Sequence, residues 1–480
     1  MEDLQSQVGS AQYLQLSGGR SDAFVQVKPV NLRTFAAMQK EKYSLGNILT
    51  NLKIDSLNEM QQASVDANKH HNDVILLSAT GSGKTLAFLL PILENLDPAN
   101  KNTQALIVVP SRELALQIEK VFKLMGTGYK ITACYGGHLR ETEENNLIQP
   151  PAVIVGTPGR LGDHIRRENI TTAAIETLVL DEFDKTLELG FQEEVSFIIE
   201  SLPNIKKRIL TSATESVDIP DFLALDKPEK LDFLPEEGTP AARLTIKEVL
   251  SPENDKVETL FRLICYLGNR STIVFCNHRE AVERTSKMLS EKSIINTFYH
   301  GAMEQQERDA ALCKFRNGSV NVLVTTDLAA RGLDIPNIRY IVHFHLPHTE
   351  DSWTHRNGRT ARMEASGTAI LILSPDEKQM PYLADEVVED IELPATSTIP
   401  DKPKWTTIFI AAGKKHKVNK VDIVGFLSKQ AHLKKEDIGL IEVKDFFSFV
   451  AVVKSKVQNT LEMIKNEKIK NKKVKIDIAR

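Results

Sequence analysis

The stretch from Asp73 to Leu96 constrains this chain more than any other. DVILLSA, a continuous β-branched and leucine-rich run, passes into Thr80-Gly81-Ser82-Gly83-Lys84-Thr85 and then into TLAFLLPILENL, whose apolar residues recur at helical spacing. A buried strand that ends in a glycine-rich turn and opens a helix forms a phosphate cradle. The glycines permit the tight turn, and backbone N–H groups and the helix N-terminus accept phosphate oxygens. Lys84 reaches the outer phosphates, and Thr85 offers a hydroxyl to Mg2+. The general form of this loop has a further glycine where Ser78 stands.

The surrounding sequence has the same character. From Asp73 to Pro228, short apolar runs (QALIVVP, PAVIVGTP, TLVLDEFD, RILTSAT) alternate with amphipathic segments such as SRELALQIEKVFKLMG. Runs of four to seven apolar residues spaced by helical patterns read as parallel strands buried on both faces. A second series follows in STIVFCN, IINTFYHG, VNVLVTTD, IRYIVHFHLP and GTAILILSP, with helical stretches between. The expectation is two α/β parallel-sheet domains in tandem. The Pro- and Gly-containing segment Phe233 to Arg243 can join them, and three prolines in Leu393 to Lys404 mark a second boundary. Beyond it, WTTIFIAAG, VDIVGFLSKQA, IGLIEVKDFFSFVAVV and KKVKIDIAR suggest a small α+β module.

Charge separates this module from the rest. The 480 residues carry a net −4, but from Asp401 to Arg480 there are 19 Lys+Arg against 9 Asp+Glu, a net +10. A basic module on an acidic body either meets a polyanion or is simply a solvated lysine surface. Hydrophobic residues make up 41%, enough for real cores. The four cysteines are far apart without a C-x-x-C pair, which suggests neither a disulfide framework nor a zinc site. No apolar run approaches the roughly 18 residues of a membrane span, and the start of the chain lacks signal-peptide character. The expected setting is cytoplasmic, with no membrane.

Two more constellations carry chemistry. TLVL ends in Asp181-Glu182-Phe183-Asp184, and a strand ending in Asp-Glu offers one carboxylate to Mg2+ and another to orient or deprotonate a water. In the second series lies His355-Arg356-Asn357-Gly358-Arg359-Thr360-Ala361-Arg362. Arginines from a second body that reach phosphate oxygens neutralise transition-state charge, so Arg359 and Arg362 are finger candidates.

These motifs occur in order with an isolated Phe35, Gln61, PSRELA (110–115), Gly136-Gly137, TPGR (157–160), SAT (212–214), HGAMEQQER (300–308) and VTTDLAARGLDIP (324–336). Over roughly Phe35 to Pro375 the chain resembles the DEAD-box RNA helicases. The resemblance implies two RecA-like domains flanking a cleft, and ATP and Mg2+ as ligands. It implies adenine contacts from Phe35 and Gln61; phosphate and Mg2+ contacts from Thr80, Gly81, Ser82, Gly83, Lys84, Thr85 and Asp181; and nucleotide contacts from Gly332 and Asp334. Glu182 serves the water, and Arg359 and Arg362 are the fingers. Ser212 and Thr214 relay between Asp184, His355 and the RNA site. Pro110, Arg112, Gly137, Thr157, Arg160, Gln305, Arg308 and Thr325 match positions that touch the RNA backbone. Backbone contact gives affinity without sequence reading.

The chain departs from the family pattern. Phe183 stands for the usual Ala, Ser78 for Ala and Ala302 for Asp, and Asn58-Glu59 replace proline-containing residues before Gln61. Phe183 is expected to pack inward. The C-terminal module resembles the RNA-binding domain of the DbpA subfamily, through IFIAAGKKHKV (408–418), the IVGFLSKQ helix, DIGLIEV and KIKNKKVKI (468–476). That resemblance implies an RRM-like fold directed to large-subunit ribosomal RNA and pre-ribosomal particles. Phe446, Phe447 and Phe449 serve either as core or as base-stacking platforms. The implied organisation is an extension at 1–34, RecA-like domains at 35–232 and 244–392, a linker at 393–404 and the RRM-like domain at 405–480. The expected function is ATP-dependent melting or remodelling of short RNA duplexes. An ATP-controlled RNA clamp and a DNA translocase are the alternatives.

Overall fold

The computed structural model describes residues 44–79, 81–137, 140–214, 219–234, 244–327, 338–358, 367–378, 380–384, 386–470 and 472–479. The expected calls on Phe35, Thr80, Gly332, Asp334, Arg359 and Arg362 lie outside the described residues.

The first apolar series forms β1 (Asp73–Ser78), β2 (Ala105–Val108), β3 (Ile131–Cys134), β4 (Val153–Gly156), β5 (Thr177–Leu180), β6 (Lys207–Ser212) and β7 (Glu229–Phe233), paired in parallel in the order β3-β4-β2-β5-β6-β1-β7. Alternation sorts the strand residues between two cores. Ala105, Ile107, Val153, Val155 and Val179 pack to one side, and Leu106, Val108, Ile154, Leu178 and Leu180 to the other. The helix Arg112–Met125 shows how local sequence sets its ends. Ser111 Oγ accepts from the Leu114 amide at the start, and Gly126, at φ +72°, turns the chain away after the end. Between them Leu114, Ala115, Ile118, Phe122 and Met125 supply one buried stripe.

The second series repeats this architecture in β8 (Leu244–Leu250), β9 (Thr272–Phe275), β10 (Asn296–Tyr299), β11 (Val322–Thr325), β12 (Tyr340–His343), β13 (Gly367–Leu373) and β14 (Val388–Asp390), parallel in the order β10-β11-β9-β12-β13-β8-β14. Residues 391–404 contain no helix or strand.

The C-terminal module pairs β15 (Trp405–Ile410), β16 (Ile438–Val443), β17 (Ser448–Val453) and, after the short hairpin β18 (Lys468–Ile469) and β19 (Lys472–Lys473), β20 (Ile476–Ile478). Its sheet is antiparallel, ordered β16-β17-β15-β20. One face carries Ile408, Ile410, Ile441, Val450 and Val452 against the helices Lys420–Gln430 and Val457–Ile464. The other face, with Phe409 and Phe449, packs on Ala310 and Cys313 of the second domain's helix Gln305–Arg316. Around that apolar patch Arg316 makes a bidentate pair with Glu442 at 2.9 and 3.0 Å. Lys444 Nζ meets Asp309 at 2.9 Å, and Asn317 Nδ2 donates to Thr407 Oγ1 at 2.8 Å. Among the described residues no helix is long and apolar enough to cross a membrane.

Candidate functional site

In an open parallel sheet, loops at the carboxyl ends of the strands form the binding edge. Here that edge divides in two: the ends of β1, β5 and β6 carry the phosphate loop, DEFD and SAT, and the ends of β2, β3 and β4 carry PSRELA, Gly136-Gly137 and TPGR.

At the end of β1 the loop turns through Gly81 and Gly83, at φ +87° and +97°. The φ of Gly83 favours glycine, and a Cβ there would approach Gln61 Nε2 to 2.4 Å, so any side chain would also have to displace the Gln61 amide. Gln61 Nε2 donates to Gly83 O at 3.2 Å. The departure before Gln61 has a structural account: Asn58 and Gln61 form a reciprocal capping box on the helix Glu59–His70, and Asn58 Nδ2 donates to Ser82 O at 2.9 Å. Ser78 Oγ donates to Ser82 Oγ at 2.7 Å, so the hydroxyl that replaces the usual small residue braces the loop. Lys84 is 8% exposed and its ammonium donates to the carbonyls of Ser78 and Ala79, which holds it at the loop. Thr85 lies in the first turn of the helix Lys84–Asn95.

At the end of β5, Asp181 is buried and accepts from Thr211 Oγ1. Burial and the adjacent Glu182 push its carboxyl up to about 6, against the Thr211 hydrogen bond and the Lys84 charge. Two neighbouring buried carboxylates beside a threonine hydroxyl form a hard-oxygen donor set that suits Mg2+. Glu182 adopts φ +51°, left-handed for a residue with a side chain, at the N-cap of the helix Phe183–Glu188. Such a conformation persists where the surroundings over-determine it. Phe183 packs into the core with Leu178, Leu180 and Leu210, as expected for an inward residue.

Asp184 is 1% exposed, and His355 Nε2 of the second domain lies 3.5 Å from its Oδ2, with Lys185 Nζ at 3.6 Å. Burial raises its pKa, but the His355 and Lys185 contacts outweigh this and hold the carboxyl below its ordinary value. Ser212 and Thr214 bond to each other: Ser212 Oγ donates to Thr214 O, and the Thr214 amide donates back to Ser212 Oγ. Thr214 Oγ1 is buried without a hydrogen-bond partner. The structure thus joins Asp184 to His355 across the cleft, and places Ser212 and Thr214 in a turn of their own.

On the other half of the edge, Arg112 lies over the Tyr135 ring at 4.5 Å, and its Nε and NH1 atoms are buried without hydrogen-bond partners. A Cβ on Gly137, at φ +89°, would meet Arg112 NH1 at 3.2 Å and Gln305 Oε1 of the second domain at 3.9 Å. Gln305 Oε1 and Arg308 Nε are likewise unpartnered and buried. Such donors and acceptors, gathered at one groove, are what a sugar-phosphate backbone satisfies. Arg308 does more than face the groove. Its NH2 donates to Glu113 Oε1 at 3.1 Å, and Tyr299 OH donates to the same oxygen at 2.9 Å, so Glu113 of PSRELA is clamped by the second domain. Beside the groove a cleft of about 690 Å³ is lined by Gly136, Arg140, Thr157, Gly159, Arg160 and Phe191. Pro110 follows β2, buried, and Thr325 ends β11, also buried.

Two residues that the motif reading did not assign, Glu143 and Arg356, organise these groups. Glu143, 1% exposed, accepts from Arg160 NH1 at 3.1 Å and the Tyr135 amide at 2.7 Å, and bonds His164 Nε2 at 2.7 Å. Cys134 shares this cluster, but both carboxylate oxygens are engaged and burial pushes the thiol well above its ordinary value, so the group anchors Arg160. Arg356, 2% exposed, makes a bidentate pair with Asp327 and donates to Asn277 Oδ1 and His345 O, tying HRNGR to VTTD and IVFCN. One glutamate among three in the polar helix Arg140–Leu147, as Glu143 is, carries no sequence signal. Arg356 was visible in its motif but indistinguishable there from the fingers.

Comparison with known proteins agrees with this geometry. Residues 58–222 match the DEAD/DEAH box helicase family, 255–364 the helicase conserved C-terminal domain and 407–478 the DbpA RNA binding domain. The chain is 32% identical to the ATP-dependent RNA helicase DbpA of Escherichia coli, covering 91% of this chain and 99% of that protein. It is 31% identical to that of Bacillus subtilis, covering 88% and 94%. Among solved structures it is similar to S. cerevisiae Dbp5 bound to RNA and ADP BeF3, at 27% identity and a TM-score of 0.64 over 72% of this chain and 93% of that one. It is also similar to Mss116p bound to ssRNA and AMP-PNP, at 26% identity and a TM-score of 0.63 over 77% and 81%. With a phosphate loop and DEFD on one half of the edge, an RNA-type groove on the other and this match along nearly its whole length, the chain belongs to the DEAD-box ATP-dependent RNA helicases of the DbpA type.

Proposed function

We propose that this helicase separates or remodels short duplexes of large-subunit ribosomal RNA during assembly of the ribosome, in the cytoplasm. The observation that carries the reading is the placement of the basic DbpA-type module on the helix that also supplies Gln305 and Arg308 to the RNA groove. A structured RNA held by the module is thereby delivered to a core that grips backbone alone.

In this reading the domains run 35–232, 244–392 and 405–480, after an extension at 1–34 and with a linker at 393–404. ATP binds with Gln61 and Phe35 at the adenine and with residues 80–85 at the phosphates, and Gly332 and Asp334 complete the site from the second domain. Thr85 and Asp181 hold Mg2+, which when bound neutralises phosphate charge and orients the outer phosphate. Glu182 takes the proton of the attacking water. Arg359 and Arg362 meet charge on the transferred phosphoryl group, so hydrolysis awaits closure. Closure is read through Asp184 and His355, with Ser212 and Thr214 linking it to the RNA half. Pro110, Arg112, Gly137, Thr157, Arg160, Gln305, Arg308 and Thr325 hold one strand by its backbone in a geometry the duplex partner cannot follow.

The test pairs ATPase with strand separation on a short duplex, presented alone or joined to a structured fragment of large-subunit ribosomal RNA, each also made as DNA. RNA-stimulated hydrolysis, strand release and a preference for the ribosomal fragment are expected. Hydrolysis without release would make the protein a clamp, and equal response to a generic fragment would remove the ribosomal assignment.

A further inference from the structure

RRM-type sheets commonly stack bases on exposed aromatics. In this protein that face is used otherwise: Phe409, Phe447 and Phe449 pack among themselves at centroid distances of 5.4 to 5.8 Å and against Ala310 and Cys313, and Phe449 is 1% exposed. The aromatic left facing solvent is Phe446, 54% exposed, in the turn between β16 and β17.

This turn has a basic partner. The Lys414 amide donates to Lys444 O and the Lys415 amide to Asp445 O, at 2.9 and 2.8 Å, so the segment Lys414–His416 is laced to it. The His416 ring meets Phe446 edge-on at 6.5 Å, and Lys414, Lys415 and Lys417 are exposed. The turn also borders the core's RNA groove. Lys444 Nζ pairs with Asp309 at 2.9 Å, one helical turn from Gln305, and the neighbouring Phe447 packs against Ala310 and Cys313 of the same helix.

We infer that Phe446, with Lys414, Lys415 and His416, is a binding site for a single-stranded RNA segment continuous with the strand in the core groove. The base next beyond Gln305 and Arg112 stacks on Phe446, and its phosphates meet the lysines. An exposed ring beside exposed cations is the arrangement that binds single strands without reading sequence. The inference needs only RNA binding by the core, and stands apart from the ribosomal assignment.

The experiment uses the full chain and unstructured RNA strands, one just long enough to saturate ATPase stimulation and others lengthened at either end. For the wild-type protein, lengthening at one end is expected to tighten binding about 5- to 150-fold, the range for one stacked base. Phe446→Ala should lose that gain while binding the short strand as before, and Phe446→Trp should keep it. Lys414→Glu with Lys415→Glu should flatten the salt dependence on the lengthened strand by roughly 0.7 per lost phosphate contact. A 2-aminopurine base walked along the strand should be quenched at the first position past the short footprint, and Phe446→Ala should restore its emission. Retention of the length-dependent gain by Phe446→Ala, or equal weakening on short and long strands, overturns the inference.

Discussion

Removing the charge of Glu113 is expected to open the cleft. One oxygen of this carboxylate takes two bonds from the second domain, from Arg308 NH2 at 3.1 Å and Tyr299 OH at 2.9 Å, and the Glu113 and Arg308 side chains are only 13% and 19% exposed. A hydrogen bond to a charged group contributes about 1.5 to 3 kcal/mol, and a neutral one about 0.5 to 1.5 kcal/mol. Glu113→Gln keeps the shape and an acceptor, so it should cost about 1 kcal/mol, roughly a fivefold loss in the ratio of closed to open protein. Glu113→Ala leaves Arg308 without its carboxylate acceptor, with the Tyr299 hydroxyl at 3.4 Å remaining, and should cost about 1.5 to 3 kcal/mol, roughly 10- to 150-fold. The assay is energy transfer between labels on the two α/β domains, titrated with ATP and RNA, beside the RNA concentration for half-maximal ATPase. A double-mutant cycle with Arg308→Ala separates clamp from RNA contact. Coupling of at least about 1 kcal/mol is expected. Additive effects would mean that Arg308 acts on RNA alone, and the clamp reading would be wrong.

Glu182→Gln should bind ATP and RNA but hydrolyse about 10^2- to 10^4-fold more slowly, and wild-type turnover would remove Glu182 from its role. Phe183→Ala restores the residue usual at this place yet empties a packed core position, and should destabilise the protein by about 3 to 5 kcal/mol in denaturant unfolding; a change under about 1 kcal/mol would show that the core collapses around it. Burial raises Asp181 from its ordinary value to about 6 in the folded protein, so ionising it opposes folding, with the full cost reached once the pH passes about 6. In chelator, Asp181→Asn should therefore raise the melting temperature at pH 7.5 but hardly at pH 4, since the wild-type disadvantage builds up between the ordinary carboxyl pKa and about 6; an equal effect at both pH values would exclude the ionisation as its source. Asn58→Ala removes a helix cap and a bond to the phosphate loop, and should cost about 1 kcal/mol and weaken ATP binding more than it lowers turnover; unchanged ATP affinity would detach the cap from the loop.

Continuous apolar runs made the parallel strands readable, because burial on both faces leaves no polar residue to confuse the period, and the order of the motifs made the edge of the first sheet readable with them. What the sequence could not show were contacts made by closing distances of more than a hundred residues. Glu113 and Arg308 each sit in a motif, but nothing local says that they meet. Phe446, Phe447 and Phe449 are nearly adjacent and chemically identical, and only the pleat and the turn decide that Phe449 enters a joint and Phe446 faces water. Asn58 looked like a loss of the usual proline, whereas folded it gains a cap.

The joint between the C-terminal sheet and the helix Gln305–Arg316 also sets how force moves through the molecule. An apolar patch ringed by a bidentate pair, a second ion pair and a buried amide–hydroxyl bond resists both sliding and hinging, so the third domain is carried by the second as the arm of a lever is carried by its axle. A small rotation at the nucleotide cleft becomes a larger sweep at the far end of that arm. In the proposed reading, RNA held at both the arm and the first domain would be pulled at two points whose separation such a rotation changes. Loosening the joint, as with Arg316→Ala and Glu442→Ala together, would leave both grips intact and the stroke slack.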